Sequence, residues 1–160
     1  MVSFKTLAVS AVFAAIGYAQ NVQITGHLQA KSPELGTVYV YKQANDGESI
    51  NYARLGSESQ GHRLELRSDG LITNLDTGFY LNIQENYDDE KSFAFRNTAS
   101  SAENGWTLAD GNRLVSNGNK WGYQDEFQAC KYSGGQYYVY LITHVVDNME
   151  CHSLGGLYFV

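Results

Sequence analysis

From Val22 onward, glycine, asparagine and aspartate cut the chain into short runs of β-branched and aromatic residues, and Pro33 is its single proline. Few windows carry helical periodicity, so the pattern predicts strands joined by tight turns. Val22-Gln23-Ile24-Thr25 alternates once and is expected to stop at Gly26. Thr37-Val38-Tyr39-Val40-Tyr41 is a strong strand, and Asn45-Asp46-Gly47 turns it back toward Ile50 to Leu55. His62 to Arg67 alternates polar and apolar, which points Leu64 and Leu66 inward. Ser68-Asp69-Gly70 and Asp76-Thr77-Gly78 are turns in which glycine supplies a positive φ. Further strands are expected at Leu71 to Thr73, Phe79 to Ile83 and Ser92 to Phe95. Together these predict an all-β fold of roughly twelve short strands.

Two segments resemble each other. Leu64-x-Leu66-x-x-Asp69-Gly70, with Tyr80-Leu81 downstream, matches Trp106-x-Leu108-x-Asp110-Gly111, with Trp121-Gly122-Tyr123 downstream, at an offset of 41 or 42 residues. A strand, tight turn, strand and aromatic strand at that period fit a β-trefoil-like fold, or successive hairpins of a small barrel or sandwich. Three such units would fill the chain, but neither end repeats the Asp-Gly motif.

The N-terminus sets the expected compartment. Lys5, an apolar run from Leu7 to Ile16 and the small residues of Gly17-Tyr18-Ala19 read as a secretory signal peptide over residues 1–19, cleaved after Ala19. A single domain over 20–160, about 140 residues, follows. No later stretch reaches the roughly 20 apolar residues of a membrane span, so no membrane association is expected after cleavage. Removing Lys5 leaves 10 basic and 17 acidic residues, a formal charge of −7. That balance, without a Lys/Arg cluster, argues against nucleic acid as a partner.

In an oxidising exterior, Cys130 and Cys151 default to one disulfide closing a loop of about 20 residues; free thiols or intermolecular pairing are the alternatives. His27, His62, His144 and His152 stand apart with no metal-ligand spacing, and Glu85 to Lys91 lacks the spaced oxygens of a calcium loop, so no metal and no cofactor is expected. No nucleophile elbow and no glycine-rich phosphate loop is present, and no catalytic residue is assigned.

Trp106 to Cys151 holds both tryptophans, both cysteines and the Tyr137-Tyr138-Val139-Tyr140 run. Strand alternation over Tyr137 to Leu141 buries at least half of that run. Trp121 and Tyr123, following the Asn117-Gly118-Asn119-Lys120 turn, are the candidates for a glycan-binding edge: rings stack on the C–H faces of sugars, and Asn119 takes their hydroxyls.

A Trp106-x-Leu108-x-Asp110-Gly111 segment, then Phe127-Gln128-Ala129-Cys130, a tyrosine-rich strand and a second cysteine at Cys151 resemble small secreted fungal cell-wall proteins of the PhiA type. A fainter likeness runs to the C-terminal domain of Pir-type yeast wall mannoproteins, although the Ser/Thr/Gln repeats, dibasic site and extra cysteines of that group are missing. The resemblance covers Gly105 to Cys151. It implies a secreted, wall-associated protein without catalytic activity, acting in wall integrity or spore-bearing structures. It also implies the Cys130–Cys151 disulfide, with Trp106 and Tyr138 matching the family's aromatic strands. The alternative expectation is a secreted lectin-like module whose partner is a wall or host polysaccharide.

Overall fold

A computed structural model describes residues 23–43, 50–85, 91–117, 120–131, 134–142 and 149–160. The signal-peptide segment, the Asn45-Asp46-Gly47 turn, most of the acidic stretch after Glu85, Asn119, Tyr132 and His144 lie outside the described residues. The fold is all-β, and among the described residues thirteen strands form a single connected sheet. In chain order the strands are β1 (Ile24–Ser32), β2 (Gly36–Lys42), β3 (Ile50–Gly56), β4 (Arg63–Leu66), β5 (Ile72–Asn74), β6 (Tyr80–Glu85) and β7 (Lys91–Arg96). They continue with β8 (Trp106–Ala109), β9 (Arg113–Ser116), β10 (Phe127–Lys131), β11 (Tyr137–Leu141), β12 (Cys151–Gly155) and β13 (Tyr158–Phe159).

Two pairing systems make the architecture trefoil-like. The first is a barrel wall. β4 pairs with β1 and β5, β9 pairs with β8 and β13, and β13 pairs with β1. Between β5 and β8, Trp106 N donates to Gly70 O at 3.2 Å. The second system is three hairpins, β2–β3, β6–β7 and β10–β11, whose second strands pair in a cycle. β3 meets β7 at Tyr52↔Ala94, β7 meets β11 at Ser92↔Tyr140, and β11 meets β3 at Tyr138↔Arg54. Ala53, Phe93 and Val139 therefore occupy equivalent positions around a pseudo-threefold axis, all facing inward and all fully buried.

This symmetry explains the missing third Asp-Gly motif. The two visible copies are the β4–β5 and β8–β9 junctions, where Gly70 and Gly111 take φ of 78° and 70°. The third junction lies between β13 and β1, where Leu157 and Phe159 fill the core as Leu64 and Leu66 do. There the wall closes by hydrogen bonds instead of a turn, His27 N to Val160 O at 2.9 Å and Val160 N to His27 O at 3.0 Å. The same junction corrects the expected end of the first strand at Gly26. β1 runs through that residue to Ser32, and a Cβ there would lie 2.4 Å from Val160 O. Gly26 is a point of close backbone approach, not a stop.

The core follows strand alternation. Phe93 packs edge-on against Trp106 and Phe127, with ring centroids 5.3 and 5.2 Å away. Trp106 is thus a core residue. Tyr138, Tyr140 and Cys130 form a smaller cluster on the outer face of β10 and β11, with Met149 and Cys151 packed against it. Cys130 and Cys151 are direct cross-strand partners and form the disulfide, with Cα atoms 4.1 Å apart.

Candidate functional site

The turn bearing Trp121 and Tyr123 is built on β9. Ser116 and Gln124 exchange backbone hydrogen bonds, each 2.9 Å, and so clamp the base of the loop between them. Gln124 Nε2 also donates to Trp121 O at 3.3 Å. Trp121 is half-buried: its ring packs against the core, and its Nε1 donates to Glu103 Oε1 at 3.3 Å. The ammonium groups of Lys120 and Lys91 lie 4.2 and 5.1 Å from the indole centroid, within cation–π range. Tyr123 is 57% exposed, and its hydroxyl donates to Asp125 Oδ2 at 3.3 Å. Asp125 is in turn held by Arg113 at 2.9 Å. The turn therefore presents an exposed phenol ring, an anchored indole and the acceptors Glu103 and Asp125. The third predicted member, Asn119, lies outside the described residues.

A polar cluster beside the disulfide escaped the reading of the sequence. The Cys130↔Cys151 register sets Lys131 against Glu150, whose backbone O accepts from Lys131 N at 2.9 Å. Lys131 Nζ reaches Glu150 Oε2 at 3.0 Å, while Glu150 Oε1 accepts from Tyr137 OH at 3.1 Å and meets His152 Nε2 at 3.2 Å. These hydrogen bonds, led by that from Lys131, lower the Glu150 pKa to about 2. They also raise that of Lys131. The available signal was positional: a lysine follows one cysteine and a glutamate precedes the other.

A third group surrounds His62. Its Nδ1 accepts from Lys42 N at 3.3 Å and lies 2.7 Å from Asn74 Nδ2, which is fully buried. Accepting there leaves the neutral ring's proton on Nε2. Burial lowers the His62 pKa, and Lys42 and His27 push it the same way against the opposing charge of Asp76. Finally, a depression of about 280 Å³ is lined by Asp69, Leu71, Ala99, Ser100, Ala102 and Asn104. Its one carboxylate, Asp69, is already bound to Arg67 at 2.8 Å.

Among the described residues, no three His, Cys, Asp or Glu side chains gather as metal ligands, and no helix is long and apolar enough to cross a membrane. No protein-family model, curated protein or solved structure matches the chain.

Proposed function

We propose that the chain is a secreted, wall-associated fungal protein without catalytic activity, held on wall polysaccharide by the turn carrying Trp121 and Tyr123. The observation that carries this reading is the exposure of Tyr123 beside the anchored Trp121. A flat phenol ring in water stacks on the C–H face of a pyranose, and Asp125 and Glu103 are placed to accept sugar hydroxyls. The bridge between Ser116 and Gln124 holds the base of the turn before binding, which reduces the ordering cost. The likeness of Gly105 to Cys151 to PhiA-type wall proteins supports the wall as the location.

Co-sedimentation of the mature protein with chitin or β-glucan tests the proposal. Binding that falls in Tyr123→Ala and Trp121→Ala supports it; failure to sediment, or sedimentation unchanged in both variants, overturns it. Cell fractionation checks the location, since recovery solely from culture medium would contradict wall association.

A further inference from the structure

The outward face of the cap hairpins carries two arginines that, among the described residues, have no carboxylate beside them. Arg54 Nη1 donates to Gln136 Oε1, and Arg96 Nη2 donates to Gln84 Oε1, both neutral amides. By contrast, Arg67 and Arg113 sit on Asp69 and Asp125 at 2.8 and 2.9 Å. Two cations left to amide partners are unusual on a chain of formal charge −6.

Register fixes their arrangement. Arg96 lies opposite Ile50, and Arg54 is four positions further along β3, so their backbones are offset by about 13 Å along the strand direction at ordinary strand rise. Tyr52 projects from the same face between them, 39% exposed, with its ring edge-on to Tyr138 at 5.8 Å. The Arg54 guanidinium is 5.0 Å from the Tyr138 ring. Arg96 reaches Gln84 across the rows Asn82↔Ala94 and Gln84↔Ser92, so its side chain lies along the sheet.

Beneath it is an independent sign of a ligand. Ser92 is fully buried and Asn82 nearly so at 4% exposure, yet among the described residues Ser92 Oγ and Asn82 Oδ1 have no hydrogen-bond partner. Buried polar atoms are ordinarily satisfied, so two orphans along the path of one long side chain mark a place where a partner belongs.

We propose that this face binds an extended acidic polysaccharide, a polyuronate. Carboxylates repeated along the polymer pair with Arg54 and Arg96, and a pyranose C–H face lies on Tyr52. As Arg96 lifts toward a carboxylate, sugar hydroxyls take up Ser92 Oγ and Asn82 Oδ1. A single phosphate is too small to bridge the two guanidinium groups. A polyphosphate spans the distance but brings neither an apolar face nor hydroxyl donors. The site is separate from the Trp121 turn, because Lys91 reaches Trp121 from the inward-facing register of β7, shared with Phe93 and Phe95, whereas Ser92 and Arg96 face outward.

Titration calorimetry of the full chain with polygalacturonate, neutral β-glucan and polyphosphate tests the proposal. Polygalacturonate is expected to bind best, and less tightly as salt is raised. Arg54→Gln and Arg96→Gln should each weaken it about fivefold, as loss of one partly exposed charge pair does. Tyr52→Ala, which truncates an exposed ring and leaves both arginines in place, should also weaken it, while Tyr123→Ala should leave it unchanged. The proposal is overturned if polygalacturonate does not bind, if polyphosphate binds as well, or if Tyr52→Ala binds like the parent. Loss of binding in Tyr123→Ala with retention in both arginine variants would overturn it in favour of the Trp121 turn.

Discussion

Phe93 and Ser92 are neighbours on β7, both completely shut off from water, and different physics governs each. Phe93 faces inward among Trp106 and Phe127 and completes a core that alternation alone specifies. Ser92 faces outward, next to Tyr140 and Gln84, with its hydroxyl unpartnered among the described residues. The inner face is built for stability. The outer face keeps polar groups buried at a cost to stability, and that is where an unassigned site is to be sought.

The widest test of this contrast is substitution on the inner face. Phe93→Ala should destabilise the protein by about 3–5 kcal/mol, read as a lower midpoint in urea unfolding. A loss under about 1 kcal/mol would mean that the inner and outer faces do not differ as described. Replacing both cysteines with serine should cost roughly 3 kcal/mol, because the link spans 21 residues of chain and restrains the unfolded state. Its effect should be confined to stability if the outer cluster of Tyr138, Tyr140 and Cys130 is scaffolding, and polygalacturonate binding by the variant at low temperature would show that.

Acidification should expose a smaller difference. Burial holds the folded His62 pKa below its unfolded value of 6.5, so the unfolded chain binds more protons in the intervening window. The stability His62 confers is complete above pH 6.5 and is lost as pH falls toward the folded pKa. His62→Gln should flatten the dependence of the unfolding midpoint between pH 7 and 5. Glu150 acts at lower pH with the depressed carboxylate pattern. Its contribution is present above its ordinary pKa of 4.5 and gone once pH falls past about 2. Glu150→Gln should therefore resemble the parent protein at pH 2 and be slightly less stable at pH 6, in thermal unfolding. The smallest effect is expected for Ser92→Ala, within about 0.5 kcal/mol of the parent or above it, because no hydrogen bond is lost. A large loss there would reveal a partner for the hydroxyl and remove one support for the polyuronate site.

Legibility in the sequence divides along the same line. Leu64, Leu66 and Phe93 were readable from alternation, and Gly70, Gly78 and Gly111 from turn chemistry, since each adopts positive φ. The third repeat was hidden because it straddles β13 and β1, where no turn residue is needed. Gly26 misled for a related reason: glycine marks a strand end and a close backbone approach alike, and only the position of Val160 O distinguishes them. For the candidate sites, Trp121 and Tyr123 were visible by residue type, but not their unequal exposure. The Glu150 cluster left only the positional trace of Lys131 and Glu150 beside the two cysteines, because the register that joins them is not written in either segment. The Arg54–Arg96 face left almost none, because its members come from strands far apart in the chain.

By itself the sequence determined the all-β class, the inward residues and the positions of the turns, since these follow from period-two alternation and local backbone preference, which act between near neighbours. Only the tertiary structure decided how three hairpins close into one cap and which outward side chains then share a surface. Arg54, Ser92 and Tyr138 become neighbours through the cyclic pairing of β3, β7 and β11, and register between distant strands is set by the packing of the whole domain.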